Sequence, residues 1–267
     1  MGFAFGGREE LEPPWDGKAW MTDCWDAICE RSITDIVLPG SHDSGTARLT
    51  REIANDDGGE KIRKLRRIFG TPITNSIAAK WSQCQPLTIA QQLELGVRYL
   101  DLRIGRDATR DLPHALRCCH GFFGEGLVGV LEQVRDFCAG GDCEFVVIDL
   151  CHLYLSLPRV GKEEAGGEEG GGEEDEARRC LVDQLEGTLG HLLVPAKDWR
   201  RPIGQLRANG CRVFVFYPHS NLRSIQSSSW SREWQIEHKF VDSPWPHVPE
   251  VFGVVLVRVV SYYTKQT

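Results

Sequence analysis

Three polar clusters, each beside an apolar run, carry the chemistry open to this chain. Leu38-Pro-Gly-Ser-His-Asp-Ser44 presents His42 and Asp43 just after the apolar residues 33–38. Arg98-Tyr-Leu-Asp-Leu-Arg-Ile-Gly105 presents Asp101 and Arg103 two positions apart. Cys118-Cys-His-Gly121 presents His120. An imidazole, with an ordinary pKa of about 6.5, takes or gives a proton near neutrality. Two imidazoles and a guanidinium are the minimal set for in-line attack at a phosphodiester. One ring removes a proton from a hydroxyl nucleophile, and the other protonates the departing alkoxide. The guanidinium holds the non-bridging oxygens as their charge builds. Arg103 also reads as a simple ion-pair partner of Asp101, although positions i and i+2 of a strand share a face, so both reach the same mouth. His114, His152, His191, His219, His238 and His247 lack such context and read as ordinary surface or core residues. Asp149 reads as a hydrogen-bonded strand residue.

These groups need strands to hold them. Strand-like runs fall at 33–38, 98–104, 116–120, 145–150, 211–217, 239–242 and 252–260, with Pro39 and Gly40 read as a turn after the first. Thr88 and Gln91 make a capping box, and Gly96 stops that helix. Leu127, Val130, Leu131, Val134, Phe137 and Cys138 follow helical spacing and predict a face packed on a sheet. Strands alternating with helices predict a parallel sheet with covered faces, whose functional groups gather at the strands' C-terminal ends. Residues 1–30, rich in Gly, Pro and Trp, read as a segment wrapping the outside of the domain. The Gly/Glu stretch 161–179 reads as a disordered acidic insert within a connection. Lys61, Arg63, Lys64, Arg66 and Arg67 form a basic cluster with Ile62, Leu65 and Phe69 on one face. The bases read as a solvated helix side or as a contact for anionic lipid.

The chain has 267 residues and a net charge of −7. The 161–179 stretch carries −5 of that charge, so the remainder shows no bias toward nucleic acid. The ten cysteines include no Cys-x-x-Cys pair and read as free thiols in a reducing compartment. No leader of the secretory kind is legible at the start of the sequence. The late apolar run, 251–260, is short for a membrane span and contains Arg258.

Taken together, Leu38 to Ser44, Lys80-Trp81, Gln91-Gln-Leu-Glu-Leu-Gly-Val-Arg-Tyr-Leu-Asp-Leu-Arg103, His120-Gly121 and Glu144-Phe-Val-Val-Ile-Asp-Leu150 resemble, in order, the X domain of phosphatidylinositol-specific phospholipases C. The likeness runs over about residues 31 to 218 and is greatest to the small X-domain-only type. The resemblance implies a TIM-type (β/α) barrel over 31–250, incomplete or distorted at its C-terminal end, with an atypical tail at 251–267. It implies cleavage of membrane phosphatidylinositol to diacylglycerol and inositol phosphate through a cyclic 1,2-phosphate, by a cytoplasmic protein in transient contact with the membrane. By position, His42 matches the general base and His120 the general acid. Arg103 matches the phosphate-clamping arginine of the metal-independent members. Asp43 matches the carboxylate that orients the second histidine, and Asp101 is its acidic neighbour.

The large calcium-dependent members use a second acid where Arg103 stands and a Glu at or near Cys151. A guanidinium and a thiol do not make a site for Ca²⁺, which takes six to eight oxygens. No metal and no cofactor are therefore expected. Tyr217 stands near the family's inositol-contacting arginine, and Asp242 is a candidate for a sugar hydroxyl. The late-strand carboxylate that orients the first histidine in the family has no clear match after residue 250. Two alternatives follow: a catalytically impaired binder of lipid or inositol phosphate, or a metal-dependent glycerophosphodiesterase-like barrel.

Overall fold

The computed structural model describes residues 17–140, 143–157 and 171–217, together with two strands at 235–237 and 254–258. In chain order the elements are α1 (Trp20–Asp23), α2 (Trp25–Ile28), β1 (Val37–Ser41), α3 (Asp57–Phe69), α4 (Thr71–Ser82), α5 (Ile89–Glu94), β2 (Tyr99–Arg106), β3 (Leu116–His120), β4 (Phe122–Gly126), α6 (Leu127–Gly140), β5 (Val146–Tyr154), α7 (Gly171–Leu189), α8 (Ile203–Ala208), β6 (Val213–Tyr217), β7 (Gln235–Glu237) and β8 (Val254–Arg258).

The strands form one mixed sheet. β2 lies parallel to β5, β5 to β6, and β6 to β7. β3 and β4 form an antiparallel hairpin attached to the upper half of β2. β1 lies parallel to the lower half of β2, and β8 runs antiparallel to β1 across all five of its residues. No pairing joins β7 to β8 among the described residues, and within these the sheet is not closed into a barrel. The all-parallel expectation is corrected here. Gly121, at φ +73°, turns the chain back tightly enough for an antiparallel return, leaving no room for a crossover helix.

Alternating side chains divide the core in two. The outer layer packs Leu100, Leu102, Val146, Ile148, Val213 and Val215 against α5, α6 and α7. The inner layer gathers Leu38, Tyr99, Val147, Phe214 and Phe216 with Met21, Ile33, Trp199 and Ile203. Met21 is fully buried there, so the part of the N-terminal segment that is described packs into the core and does not merely wrap it. The buried Glu144 fastens it, accepting from the backbone and hydroxyl of Thr22 while holding Arg98 at 2.5 Å.

Other boundaries also differ from expectation. Residues 33–35 form a short 3-10 turn, and the first strand starts at Val37 and includes Pro39 and Gly40. Pro39 fits because a strand position that leaves no ladder donor unmet tolerates it. The second half of the Gly/Glu stretch is helical: α7 begins at Gly171, with Glu173 and Glu174 in its first turn, where acids favour the helix. Residues 158–170, the expected strand at 239–242 and most of the 251–267 tail lie outside the described residues.

Candidate active site

β1 delivers His42 and Asp43 at its C-terminal end, at the level where β2 changes neighbours. β1 pairs with β2 at Tyr99 and Leu100, whereas β3 pairs with it from Ile104 onward. The gap between them, beside Asp101, is filled by the His42–Asp43 turn. Asp43 takes left-handed backbone angles, φ 47° and ψ 51°, which Asp tolerates better than most residues. A loop after α4 locks this turn. Thr46 Oγ1 donates to the Asp43 carbonyl and accepts from the backbone N–H groups of Cys84 and Gln85. Gln85 Nε2 donates to the His42 carbonyl at 2.9 Å, and Gln92 Nε2 donates to the Ser44 carbonyl at 2.9 Å. Gly45 is required for close approach: a Cβ there would lie 2.4 Å from Cys118 Sγ on β3.

The five sequence-predicted catalytic residues come together. His42 Nδ1 lies 2.7 Å from Asp101 Oδ2, which also accepts from the Asp43 backbone N–H at 3.1 Å. His42 Nε2 lies 3.2 Å from Asp43 Oδ2, and His120 Nε2 lies 3.6 Å from the same oxygen. Arg103 Nε forms an ion pair with Asp43 Oδ1 at 2.6 Å, and its Nη2 lies 3.5 Å from His42 Nε2. Both rings and the guanidinium thus face one carboxylate in one cleft. His120 Nδ1 is 3.0 Å from the Ser82 carbonyl; with its proton on that nitrogen, Nε2 is turned toward the cleft. The carboxylate in contact with His42 Nδ1 is Asp101 on β2.

The electrostatics separate the two acids. Burial favours the neutral form of Asp101, but the hydrogen bond to His42 and the Arg103 charge outweigh it and hold this carboxyl below its ordinary range. Burial and the neighbouring Asp101 charge push Asp43 upward. Burial opposes protonation of His42, yet its hydrogen bond to Asp101 and the Asp43 charge prevail, so its pKa is raised. Burial likewise disfavours the Arg103 charge, and Asp43 and Asp101 overcome it, leaving a fixed cation.

Sequence reasoning missed two thiols and a carbonyl. Cys151 Sγ donates to Asp101 Oδ1 at 2.5 Å, and Cys84 Sγ donates to Asp43 Oδ2 at 3.4 Å. The Ser82 carbonyl faces His120. Cys151 reaches Asp101 because β5 slips register there: Asp101 is opposite Asp149, but Arg103 is opposite His152. That bulge also brings His152 to the level of Arg103, with its ring stacked on Tyr154 at 6.1 Å. Only a Cys151 that departs from the family's acid hinted at this. His42, Asp43 and Asp101 could together offer a cation one nitrogen and two carboxylates. That is short of a calcium shell, and Arg103 already lies against two of the three residues.

Tyr217 does not join the group. It has the parity of Val213 and Val215, so it points to the helix side, 2 % exposed, with its hydroxyl 3.5 Å from Arg178 on α7. Asp242 lies outside the described residues. Asp149 accepts from the Tyr99 hydroxyl at 2.7 Å below the site, in a structural pairing.

No protein-family model matches the chain. Individual proteins do. The variant-surface-glycoprotein phospholipase C of Trypanosoma brucei brucei is 26 % identical over 235 residues, covering 83 % of this chain and 61 % of that protein. The human PI-PLC X domain-containing protein 2 is 24 % identical over 239 residues, covering 89 % and 69 %. The chain is a homologue of the PI-PLC X domain proteins. The zebrafish (Danio rerio) PI-PLC X domain-containing protein 3 is 31 % identical over 136 residues, covering 51 % of this X-domain homologue and 42 % of the fish protein. Our chain therefore spans between 42 % and 69 % of the length of these relatives. Among solved structures, a phosphatidylinositol-specific phospholipase C of Staphylococcus aureus superposes with a TM-score of 0.47 at 17 % identity, covering 75 % of this chain and 52 % of that one.

Proposed function

We propose that the chain is a phosphoric diester hydrolase of the phospholipase C type, cleaving phosphatidylinositol to diacylglycerol and inositol phosphate through a cyclic 1,2-phosphate. The observation that carries this reading is the convergence of His42, Arg103 and His120 on Asp43. His42, held by Asp101, takes the proton of the inositol 2-hydroxyl, whose oxygen attacks phosphorus. Arg103 binds the non-bridging oxygens as their charge grows. His120 gives the Nε2 proton to the departing diacylglycerol oxygen. Water then opens the cyclic ester with the two rings exchanging roles. The fixed cation at Arg103 supplies the charge stabilisation that calcium would otherwise give, so turnover is calcium-independent.

The surface beside the site fits a bilayer carrying that lipid. Ile68 and Phe69 at the end of α3, with Ile77 and Trp81 on α4, are exposed, Ile68 and Trp81 by 70 % and 71 %. Phe69, Ile77 and Trp81, with Leu65, Thr74 and Ala78, line an apolar groove of about 300 Å³. Lys61, Lys64 and Arg67 are exposed on the same helix, each base contributing about 1 kcal/mol near an anionic surface. α4 ends at Ser82, whose carbonyl meets His120, so the hairpin adjoins the cleft. No described helix is long and apolar enough to cross a membrane.

The test is ³¹P NMR of phosphatidylinositol vesicles mixed with purified protein in EGTA. A cyclic inositol phosphate signal that persists in EGTA is expected. Vesicle co-sedimentation without any turnover would favour the binding protein. Turnover abolished by EGTA would overturn the role of Arg103.

A further inference from the structure

We propose that Asp56 is the positioning residue for His120: its carboxylate holds the turn that carries the general acid. The catalytic consequence rests on the phospholipase reading; the contacts do not. His120 is the last residue of β3, and Gly121 alone separates it from β4. His120 pairs with Phe122 across that turn, and the β3–β4 register slips between Arg117 and Cys119. A ring at the tip of so tight a hairpin, beyond an irregular ladder, is poorly held by its own strands. A clamp from outside supplies what the ladder lacks. The Ala54 N–H donates to the Gly121 carbonyl at 3.0 Å, and the Gly121 N–H donates to Asp56 Oδ2 at 2.7 Å. Both polar groups of the turn residue are thereby tied to the segment before α3. The Ser82 carbonyl, 3.0 Å from Nδ1, sets the rotation of the ring; Asp56 sets where the ring is anchored.

Asp56 suits that task. It is 3 % exposed and accepts with both oxygens: Oδ2 from Gly121, and Oδ1 from the Gly59 N–H at 2.7 Å, as the N-cap of α3. One carboxylate thus joins the start of a helix to the tip of a hairpin. Close packing excludes any other seat for it. A Cβ on Gly58 would lie 3.1 Å from the Gly121 backbone, one on Gly59 2.0 Å from the Ala54 carbonyl oxygen, and one on Gly121 2.7 Å from Ser82 Oγ. The run Asp56-Asp57-Gly58-Gly59 therefore supplies an acceptor and then the two residues that let a helix start press against a turn. On its reacting side the ring is 3.6 Å from Asp43 Oδ2, with no short bond to hold it. A displacement of about 1 Å from reacting geometry can cost on the order of 10²-fold in rate, so the anchor of the turn governs how well Nε2 meets the leaving oxygen.

The experiment uses the full chain and two soluble substrates: inositol 1-(alkyl phosphate), whose alkoxide needs a proton to leave, and inositol 1-(p-nitrophenyl phosphate), whose phenolate does not. Asp56→Asn keeps the cap, since its one oxygen still accepts from the Gly59 N–H, but its amide then meets the Gly121 N–H donor to donor. On the alkyl substrate kcat is expected to fall at least about tenfold with KM unchanged; on the nitrophenyl substrate it should stay within about threefold of wild type. Asp56→Ser, which caps α3 but is too short to reach Gly121, should repeat the pattern and serves where the amide disturbs folding. In Asp56→Asn with His120→Ala the alkyl rate should equal that of His120→Ala alone, because an acid already removed cannot be misplaced. Glu60→Gln, an exposed change in the first turn of the same helix, should act as wild type on both substrates. Wild-type rates in Asp56→Asn, equal losses on the two substrates, or losses that add to those of His120→Ala overturn the role. Ring ¹⁵N NMR is read alongside: the neutral His120 ring should carry its proton on Nδ1 in wild type and divide it between both nitrogens in Asp56→Asn, and identical spectra overturn the positioning. If wild type turns over neither substrate, the phospholipase reading fails, and the ring spectra still decide what Asp56 holds.

Discussion

Asp101→Asn tests a contact, the one between Asp101 and His42, that the sequence match did not assign. The buried carboxylate accepts from His42 Nδ1 at 2.7 Å, the Asp43 backbone N–H at 3.1 Å and the Cys151 thiol at 2.5 Å. Asparagine keeps the shape, removes the charge and turns one acceptor into a donor. Its oxygen can still face His42 while its amide faces the Cys151 sulfur, so the fold survives. What is lost is the charge-assisted part of the His42 contact, about 1.5–3 kcal/mol. At 1.36 kcal/mol per tenfold, that is a fall in kcat of roughly 10- to 150-fold. The sign of the pH effect follows from the causes of the His42 shift. Asp101 raises its pKa through a hydrogen bond and charge, against burial and Arg103, which lower it. Without Asp101 the imidazole loses its proton at lower pH. Since a general base works deprotonated, the acid limb of kcat/KM moves to lower pH while the plateau drops. Stopped-time assays of phosphatidylinositol cleavage across pH 4–8, with the His42 ring followed by NMR, read both effects. An unmoved acid limb at wild-type rate would refute the assignment of Asp101 as the residue that orients His42.

Arg103→Lys keeps a charge but loses the forked donors, and turnover should fall about 10²–10³-fold with EGTA still without effect. A lysine enzyme as fast as wild type would remove Arg103 from the chemistry. Tyr217→Phe should leave turnover within about twofold of wild type, because the ring faces α7; a large loss in the same assay would place it in the cleft. Glu144→Ala strands the fully buried Arg98 without its counter-charge, and urea unfolding should report a loss of about 3–5 kcal/mol. Replacing both Phe69 and Trp81 by Ala should weaken vesicle association at least about tenfold and leave hydrolysis of a soluble inositol phosphodiester unchanged; equal vesicle binding would move the membrane contact elsewhere.

The strand rule that made the site legible also explains where reading failed. Asp101 and Arg103 were recognisable as same-face neighbours because they stand two apart on one strand. Applied to Phe214, Phe216 and Tyr217, the same period puts Tyr217 on the far side, a step that placement by motif position alone overlooked. Cys84, Gln85 and the Ser82 carbonyl reach the site across a loop, more than thirty residues from the groups they touch, and no local pattern announces such contacts. The slip in β5 that turns Cys151 toward Asp101 is a pairing feature, visible only beside β2. β4 was missed because Phe122–Gly126 contains two glycines and is half-hidden behind the tight turn at Gly121. The α3–α4 hairpin showed its bases and one apolar face in sequence. That half of this face remains uncovered depended on α4, which was not foreseen.

The central claim is that two rings divide the proton transfers at one phosphorus: His42 takes and His120 gives. Comparing the soluble substrate pair inositol 1-(p-nitrophenyl phosphate) and inositol 1-(alkyl phosphate) tests that division directly. The nitrophenolate leaves without a proton, so His120→Ala should recover most of its lost rate on that substrate alone, while His42→Ala stays slow on both. Equal losses on the two substrates for His120→Ala, or rescue of His42→Ala, would contradict it.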